Sequence, residues 1–131
     1  MKAIPFASVV RSLQYAQVCT CPDLAFVTGI LCRFQSNIGI EHWKMVKKAL
    51  RYVQGTEGLM LTYRRSDSLE IEGYSDSDFA GDIGDRKSTS GYVFTLAGGA
   101  ISWKSSKQTV TTSSTMYAEF VACYEASGQV K

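Results

Sequence analysis

Apolar residues recur at helical spacing through the first 54 positions, then alternate with polar ones in the middle of the chain. Phe6, Val9, Val10 and Leu13 define a first helical face. Thr20 and Asp23 read as a capping pair, and Pro22 sits where a first helical turn accepts proline. The helix that follows carries Leu24, Val27, Ile30 and Leu31 on one face. A third helix is predicted over about 40–54, with Gly55 as its stop. Residues 59–63, 69–75, 91–97 and 100–105 read as strands, and Gly98-Gly99 as a two-residue hairpin turn between the last two. From Ser114 the spacing is helical again, with Met116, Phe120 and Cys123 on one stripe and Glu119 at its edge. The predicted order is three helices, four strands and one helix. It is an α+β fold, with a helical segment over 1–57 and a mainly β region over 58–131.

Composition refines this only at the edges. At 131 residues, 45% hydrophobic and 20% charged, the chain has the size and balance of a modest globular domain. A formal charge of +2 is too small to name a polyanionic partner by itself. No apolar run is long enough to cross a bilayer. Lys2 offers a basic start for a signal peptide, but the apolar stretch 4–10 is short and Arg11 interrupts it. Cys19, Cys21, Cys32 and Cys123 fit no common zinc spacing, and His42 is the only histidine. Those in helical segments are expected to be small buried hydrophobes, reduced rather than bridged.

The densest candidate chemistry lies in 73–94, GYSDSDFAGDIGDRKSTSGYVF, where Asp76, Asp78, Asp82 and Asp85 fall within ten positions. Two-metal hydrolysis needs several carboxylates converging on a pair of divalent ions about 4 Å apart. Carboxylates suit Mg²⁺, a hard cation. A helix packed on the strand of Asp76 could bring Glu119 to it, although acidic residues at a strand end are more often solvated loop residues. Lys44, Lys47, Lys48 and Arg51 make a basic stripe able to follow a phosphate backbone. A solvated helix face is the commoner meaning of such a stripe.

Six stretches together resemble the end of a copia-type retrotransposon reverse transcriptase running into its ribonuclease H domain. They are SVVRSLQYAQVCTCPDLAF (8–26), EHWKMVKKALRYVQGT (41–56), GYSDSDFAGD (73–82), DRKSTSGYVF (85–94), GGAISWKSSKQ (98–108) and SSTMYAEF (113–120). They follow the family's order over nearly the whole chain. The resemblance implies a ribonuclease H-like sheet, incomplete here, with Mg²⁺-dependent hydrolysis of the RNA strand of an RNA–DNA hybrid as the ancestral activity. On that match Asp76 is the first catalytic and metal-binding aspartate, Glu119 the catalytic glutamate, and Asp78 the substitute if the register slips. Arg86, Lys87 and Ser88 fit a loop near the hybrid backbone, or equally a turn feeding the next strand. The family's remaining metal ligands fall after Lys131, so the chain is expected to be inactive alone, with Mg²⁺ bound weakly or not at all. The strand of Asp76 is then expected to keep an open edge prone to self-association, and the last helix to be poorly anchored. Arg11 stands where the family has glycine, Cys21 where it has arginine, Ile38 where proline is common, and Tyr117 where it has glutamate. Tyr117 cannot close the reciprocal capping box with Ser114.

A second resemblance belongs to another class. Arg11-Ser12-Leu13-Gln14 is similar to the RxLR host-entry motif of oomycete effectors in an RxLQ form. It implies secretion by a plant pathogen and action on a host plant protein inside the host cell, suppressing immunity or cell death. No acidic motif of the DEER kind follows, and Arg11 also fits the polar face of the first helix. The residues leave the location of the protein open.

Overall fold

The computed structural model describes residues 4–130, which fold as two compact units divided between Leu61 and Thr62. The first contains α1 (Phe6–Cys19), a 3₁₀ turn (Pro22–Leu24), α2 (Ala25–Arg33) and α3 (Ile40–Gly55). Its core is Phe6, Val10 and Leu13 from α1, Leu24 and Leu31 around α2, and Val46 and Ala49 from α3. The expected Thr20–Asp23 capping pair does not form. The turn has no side-chain cap, and the Asp23 carboxylate instead accepts the hydroxyl of Tyr52 on α3. That bond holds the Tyr52 hydroxyl proton, pushing its pKa up to about 12. At the start of α3 the N–H of Gly39 donates to His42 Nδ1 at 2.9 Å, and the imidazole stacks on Phe34 at 4.2 Å.

The second unit is a three-stranded antiparallel sheet, β1 (Ile71–Asp78), β2 (Thr89–Leu96) and β3 (Gly99–Lys107), followed by α4 (Thr115–Ser127). Asp76 pairs with Gly91, and Gly73 with Phe94. A Cβ at Gly73 would stand 2.5 Å from the Phe94 ring, so any larger residue there would have to displace that ring. The hairpin turn lies one residue earlier than the sequence suggests. Ala97 and Gly98 both take positive φ, 53° and 80°, and Gly99 already pairs with Leu96. Two successive positive φ values give the I′ twist that joins tightly paired strands.

The expected strand over 59–63 is absent. Leu59 and Met60 are 76% and 86% exposed, and the segment meets the sheet where it passes the hairpin. There the Arg64 N–H donates to the Ala97 carbonyl and the Tyr63 hydroxyl to that of Ala100. The Tyr63 ring covers Gly99.

α4 also turns a different face inward from the one its large residues suggest. Ala118, Ala122 and Ala126 are buried where the helix packs on β1 and β2, while Met116 and Phe120 are 80% and 68% exposed. Small side chains let the helix axis approach the sheet closely, so the helix is well anchored. Ser114 caps it through the Tyr117 N–H at 3.1 Å, the half of the capping box that Tyr117 does not disturb. The cysteines are free thiols and none is buried. Cys19, Cys32 and Cys123 are exposed, and the half-buried Cys21 thiol is pushed up by desolvation and by Asp23. Among the described residues no helix is long and apolar enough to cross a membrane.

The inward alanine stripe makes a direct prediction. Ala122→Leu should destabilise the second unit by about 1–3 kcal/mol through overpacking, whereas Phe120→Ala should stay within about 0.5 kcal/mol. Chemical denaturation of the two variants checks it. A larger loss for Phe120→Ala would mean that the outer stripe carries the packing.

Candidate functional site

The four aspartates of the 76–85 stretch have different surroundings. Asp78, at the end of β1, accepts the Thr89 N–H through Oδ1 at 2.5 Å. That bond joins the ends of two paired strands, and the Asp78 carboxylate lies directly over Gly81, where a Cβ would clash with it. Asp82 accepts the Gly84 N–H at 2.9 Å, and Asp85 accepts the Lys87 N–H at 3.1 Å. Both also bind one ammonium, Lys107 Nζ at the end of β3, at 2.9 and 2.6 Å. Lys107 thus holds both carboxyls below the usual carboxylate range, while the two aspartates raise the lysine. Asp76 differs from the other three in its partners. Exposed like Asp85, its carboxylate takes, among the described residues, only the adjacent Ser77 N–H, at 2.9 Å. Of the four, it is the carboxylate that links no other element.

Glu119 lies in the second turn of α4, half-exposed, immediately after Ala118. The Ala118 carbonyl accepts Gln108 Nε2 at 3.0 Å, and the same amide donates to Ser90 Oγ at 2.8 Å. Gln108 therefore fixes the height of α4 over the sheet, making the elements that carry Asp76 and Glu119 packed neighbours. Among the described residues no group of three or more His, Cys, Asp and Glu side chains is gathered as a metal cage. Carboxylates are the right chemistry for Mg²⁺, but Asp76 and Glu119 do not amount to a two-ion site.

Arg86 and Lys87 lie on the loop before β2, and neither has an ion-pair partner among the described residues. Ser88 is not a surface residue. It is fully buried, its hydroxyl accepting the Ala80 N–H at 3.0 Å and meeting Thr112 Oγ1 at 3.1 Å, so it offers nothing to an external backbone. On α3 the basic stripe is partly occupied by its own neighbours. Lys44 pairs with Glu41 at 2.6 Å, and Lys47 lies 5.9 Å from the Trp43 ring centroid. Lys48 lines a shallow, mainly apolar groove of about 410 Å³ that also includes Asp23 and Tyr52. Arg51 is exposed.

The stretch Arg11-Ser12-Leu13-Gln14 is one turn of α1. Leu13 is 3% exposed in the core, the Ser12 hydroxyl donates to the Ser8 carbonyl, and Gln14 Oε1 accepts the Cys32 thiol at 3.8 Å. Arg11 is exposed. Sequence reasoning gave no role to Lys107 or Gln108. The available signal was indirect: Asp82 and Asp85 sit three apart on a loop and call for a cation, and Lys107 ends β3, the second strand after that loop.

The chain is 48% identical over 130 residues to the retrovirus-related Pol polyprotein from transposon TNT 1-94 of Nicotiana tabacum, covering 99% of this chain and 10% of that protein. It is 33% identical over 126 residues to the Pol polyprotein from transposon RE2 of Arabidopsis thaliana, covering 96% of this chain and 9% of that one. It therefore spans about a tenth of the length of these polyproteins. It is also 42% identical over 127 residues to secreted RxLR effector protein 161 of Plasmopara viticola, covering 97% of this chain and 89% of that protein. No protein-family model matches the chain, and no solved structure does.

The shared ammonium predicts a pH profile for the loop. Both carboxyls are depressed in the folded chain, so their contribution to stability is full above the ordinary carboxylate range near 4 and is lost as pH falls through their lowered folded values. Carboxyl-carbon NMR should find Asp82 and Asp85 titrating below the ordinary carboxylate range near 4. Titration of both within that range would show that Lys107 does not hold them in solution.

Proposed function

The chain belongs to the family of copia-type retrotransposon Pol polyproteins, and on that premise we propose that its second unit is a ribonuclease H-like fold. The ancestral chemistry is Mg²⁺-dependent hydrolysis of RNA paired to DNA. One observation carries this reading. An exposed aspartate, Asp76, sits on β1 of an antiparallel sheet, with the helix of Glu119 packed on the same strand. In the second unit the loop of Arg86 and Lys87 supplies cations for a nucleic-acid backbone, and the first unit, taken by itself, exposes Arg51 on α3.

The same reading makes the chain a binder rather than a nuclease. Hydrolysis by two metals needs carboxylates that fix both ions. Here Asp78 is committed to the Thr89 N–H, and Asp82 and Asp85 to Lys107. Asp76 and Glu119 remain, too few to hold two Mg²⁺ ions. Incubating the chain with a labelled RNA–DNA hybrid and Mg²⁺ or Mn²⁺ should leave the RNA strand intact. Turnover that disappears in Asp76→Asn would overturn the inactivity.

A second reading, an effector-like protein acting on a host plant protein, is favoured by the near end-to-end similarity to the Plasmopara viticola protein. The fold determines how to test it. Leu13→Ala would remove a core side chain at about 2–5 kcal/mol, so its phenotype would report folding and not host entry. Arg11→Ala alters only an exposed position. Expression inside plant cells should change cell death equally for the wild-type chain and for Asp76→Asn, and Arg11→Ala should impair only entry from outside. An unchanged death response on internal expression would discard this reading.

A further inference from the structure

We propose that Lys107 is a positioning residue whose ammonium, held between Asp82 and Asp85, sets the 82–87 loop so that Arg86 and Lys87 meet a polyanionic nucleic-acid backbone. The proposal rests on the nucleic-acid reading above and adds the residue that makes the loop fit for it.

Three observations carry it. The first is geometric. Lys107 Nζ lies 2.9 Å from Asp82 and 2.6 Å from Asp85, and backbone bonds from Arg86 N–H to Asp82 O (2.9 Å) and from Asp82 N–H to Lys87 O (3.2 Å) close the loop on itself. The second is conformational. Arg86 holds φ at 55°, in the left-handed region, with neither the freedom of glycine nor the local side-chain bonds of asparagine. Such a conformation persists only where its surroundings over-determine it, and residues held this way cluster at ligand-contacting sites. Here the restraint comes from the two aspartates that flank the tip and the cation they share. The third is electrostatic. Two carboxylates beside Arg86 and Lys87 would repel phosphate. Lys107 between them offsets one of the two charges, and with Arg86 and Lys87 counted the loop and its lysine carry a net positive charge. The loop then presents exposed Arg86 and half-exposed Lys87 as unpaired cations.

A lysine that simply touched phosphate would act independently of Arg86, whereas a lysine that positions Arg86 would not. The test uses the whole chain and a short fluorescein-labelled RNA–DNA hybrid, with amide exchange read on the same samples. Lys104, also on β3 and exposed, is the charge-matched control. Lys107→Met should weaken hybrid binding roughly tenfold, about the loss of two ordered phosphate contacts, and speed exchange of the Asp82 and Arg86 amides. Lys104→Met should change affinity less than about threefold, as expected for one unstructured charge, and leave that exchange alone. Lys107→Arg should recover most of the binding. In the wild-type background Arg86→Ala should lower the slope of log affinity against log salt by about one, and in the Lys107→Met background by almost nothing. Additive losses, or loop exchange unchanged by Lys107→Met, would overturn the positioning role while the nucleic-acid reading stands. A wild-type chain that does not bind the hybrid would overturn that reading and the partner named here, even if the loop loosens in Lys107→Met.

Discussion

The second unit depends on one buried amide. Gln108 is 1% exposed, and its Nε2 bridges the sheet at Ser90 to the helix at the Ala118 carbonyl, while its own backbone N–H bonds the Ser88 carbonyl at 2.8 Å. A buried amide left without partners costs about 1–3 kcal/mol, so both donor bonds have to form together when α4 docks. That requirement explains the composition of the seam. Ala118, Ala122 and Ala126 bring the helix close enough for a glutamine to span the gap, and Ser88, Ser90 and Thr112 supply short hydroxyls around it. Apolar packing alone would allow α4 to slide along the sheet, but the amide fixes its register, and with it the position of Glu119.

Electrostatics then divides the acidic stretch. Four carboxylates within ten residues repel one another, and the fold relieves this by using three of them. Asp78 satisfies a backbone N–H where β2 begins, and Asp82 and Asp85 share Lys107. The lysine and the two aspartates are only partly exposed, at 30%, 20% and 42% of their side chains, a setting in which a shared ammonium is less screened than an open surface pair. Asp76 is left as the carboxylate that links no other element, and it is the position that the family resemblance assigns to metal. Sequence spacing could not separate these four residues, because the partners that distinguish them, the Thr89 N–H and Lys107, are brought to them by strand pairing.

What the sequence made legible followed from local rules. Alternation located β1, β2 and β3 to within two residues at most boundaries, and helical spacing located α1 to α4, because each periodicity reflects a buried face close by. Long-range competition explains the differences. The 59–63 segment alternates like a strand, but among the described residues it forms no ladder with the sheet, which it bonds at the hairpin end. The turn moved to Ala97-Gly98 because Gly99 pairs with Leu96 beneath the Tyr63 ring. On α4 the large residues Met116 and Phe120 suggested the inner stripe, yet helix–sheet distance selected the alanines. The candidate site was legible in its residue types and not in its division of labour. Asp76 and Glu119 are visible as acids at the right elements, whereas Lys107 and Gln108 matter only through contacts made in three dimensions.

The outer edge of β1 completes the physical picture. Among the described residues β1 is bonded to β2 on one side only, so its other side presents backbone N–H and C=O groups, with Leu69 and Ile71 70% and 62% exposed nearby. An edge of this kind invites a second strand. Its charge opposes a second copy of itself. Glu72, Asp76 and Asp78 occupy alternate positions and share one face of the strand. Antiparallel self-pairing centred on Ser75 would set Glu72 opposite Asp78, and pairing centred on Tyr74 would set it opposite Asp76. Like charges directly across a strand pair are destabilising, and no lysine or arginine lies within β1 to offset them. The acidic residues of β1 therefore work against antiparallel pairing of the strand with itself.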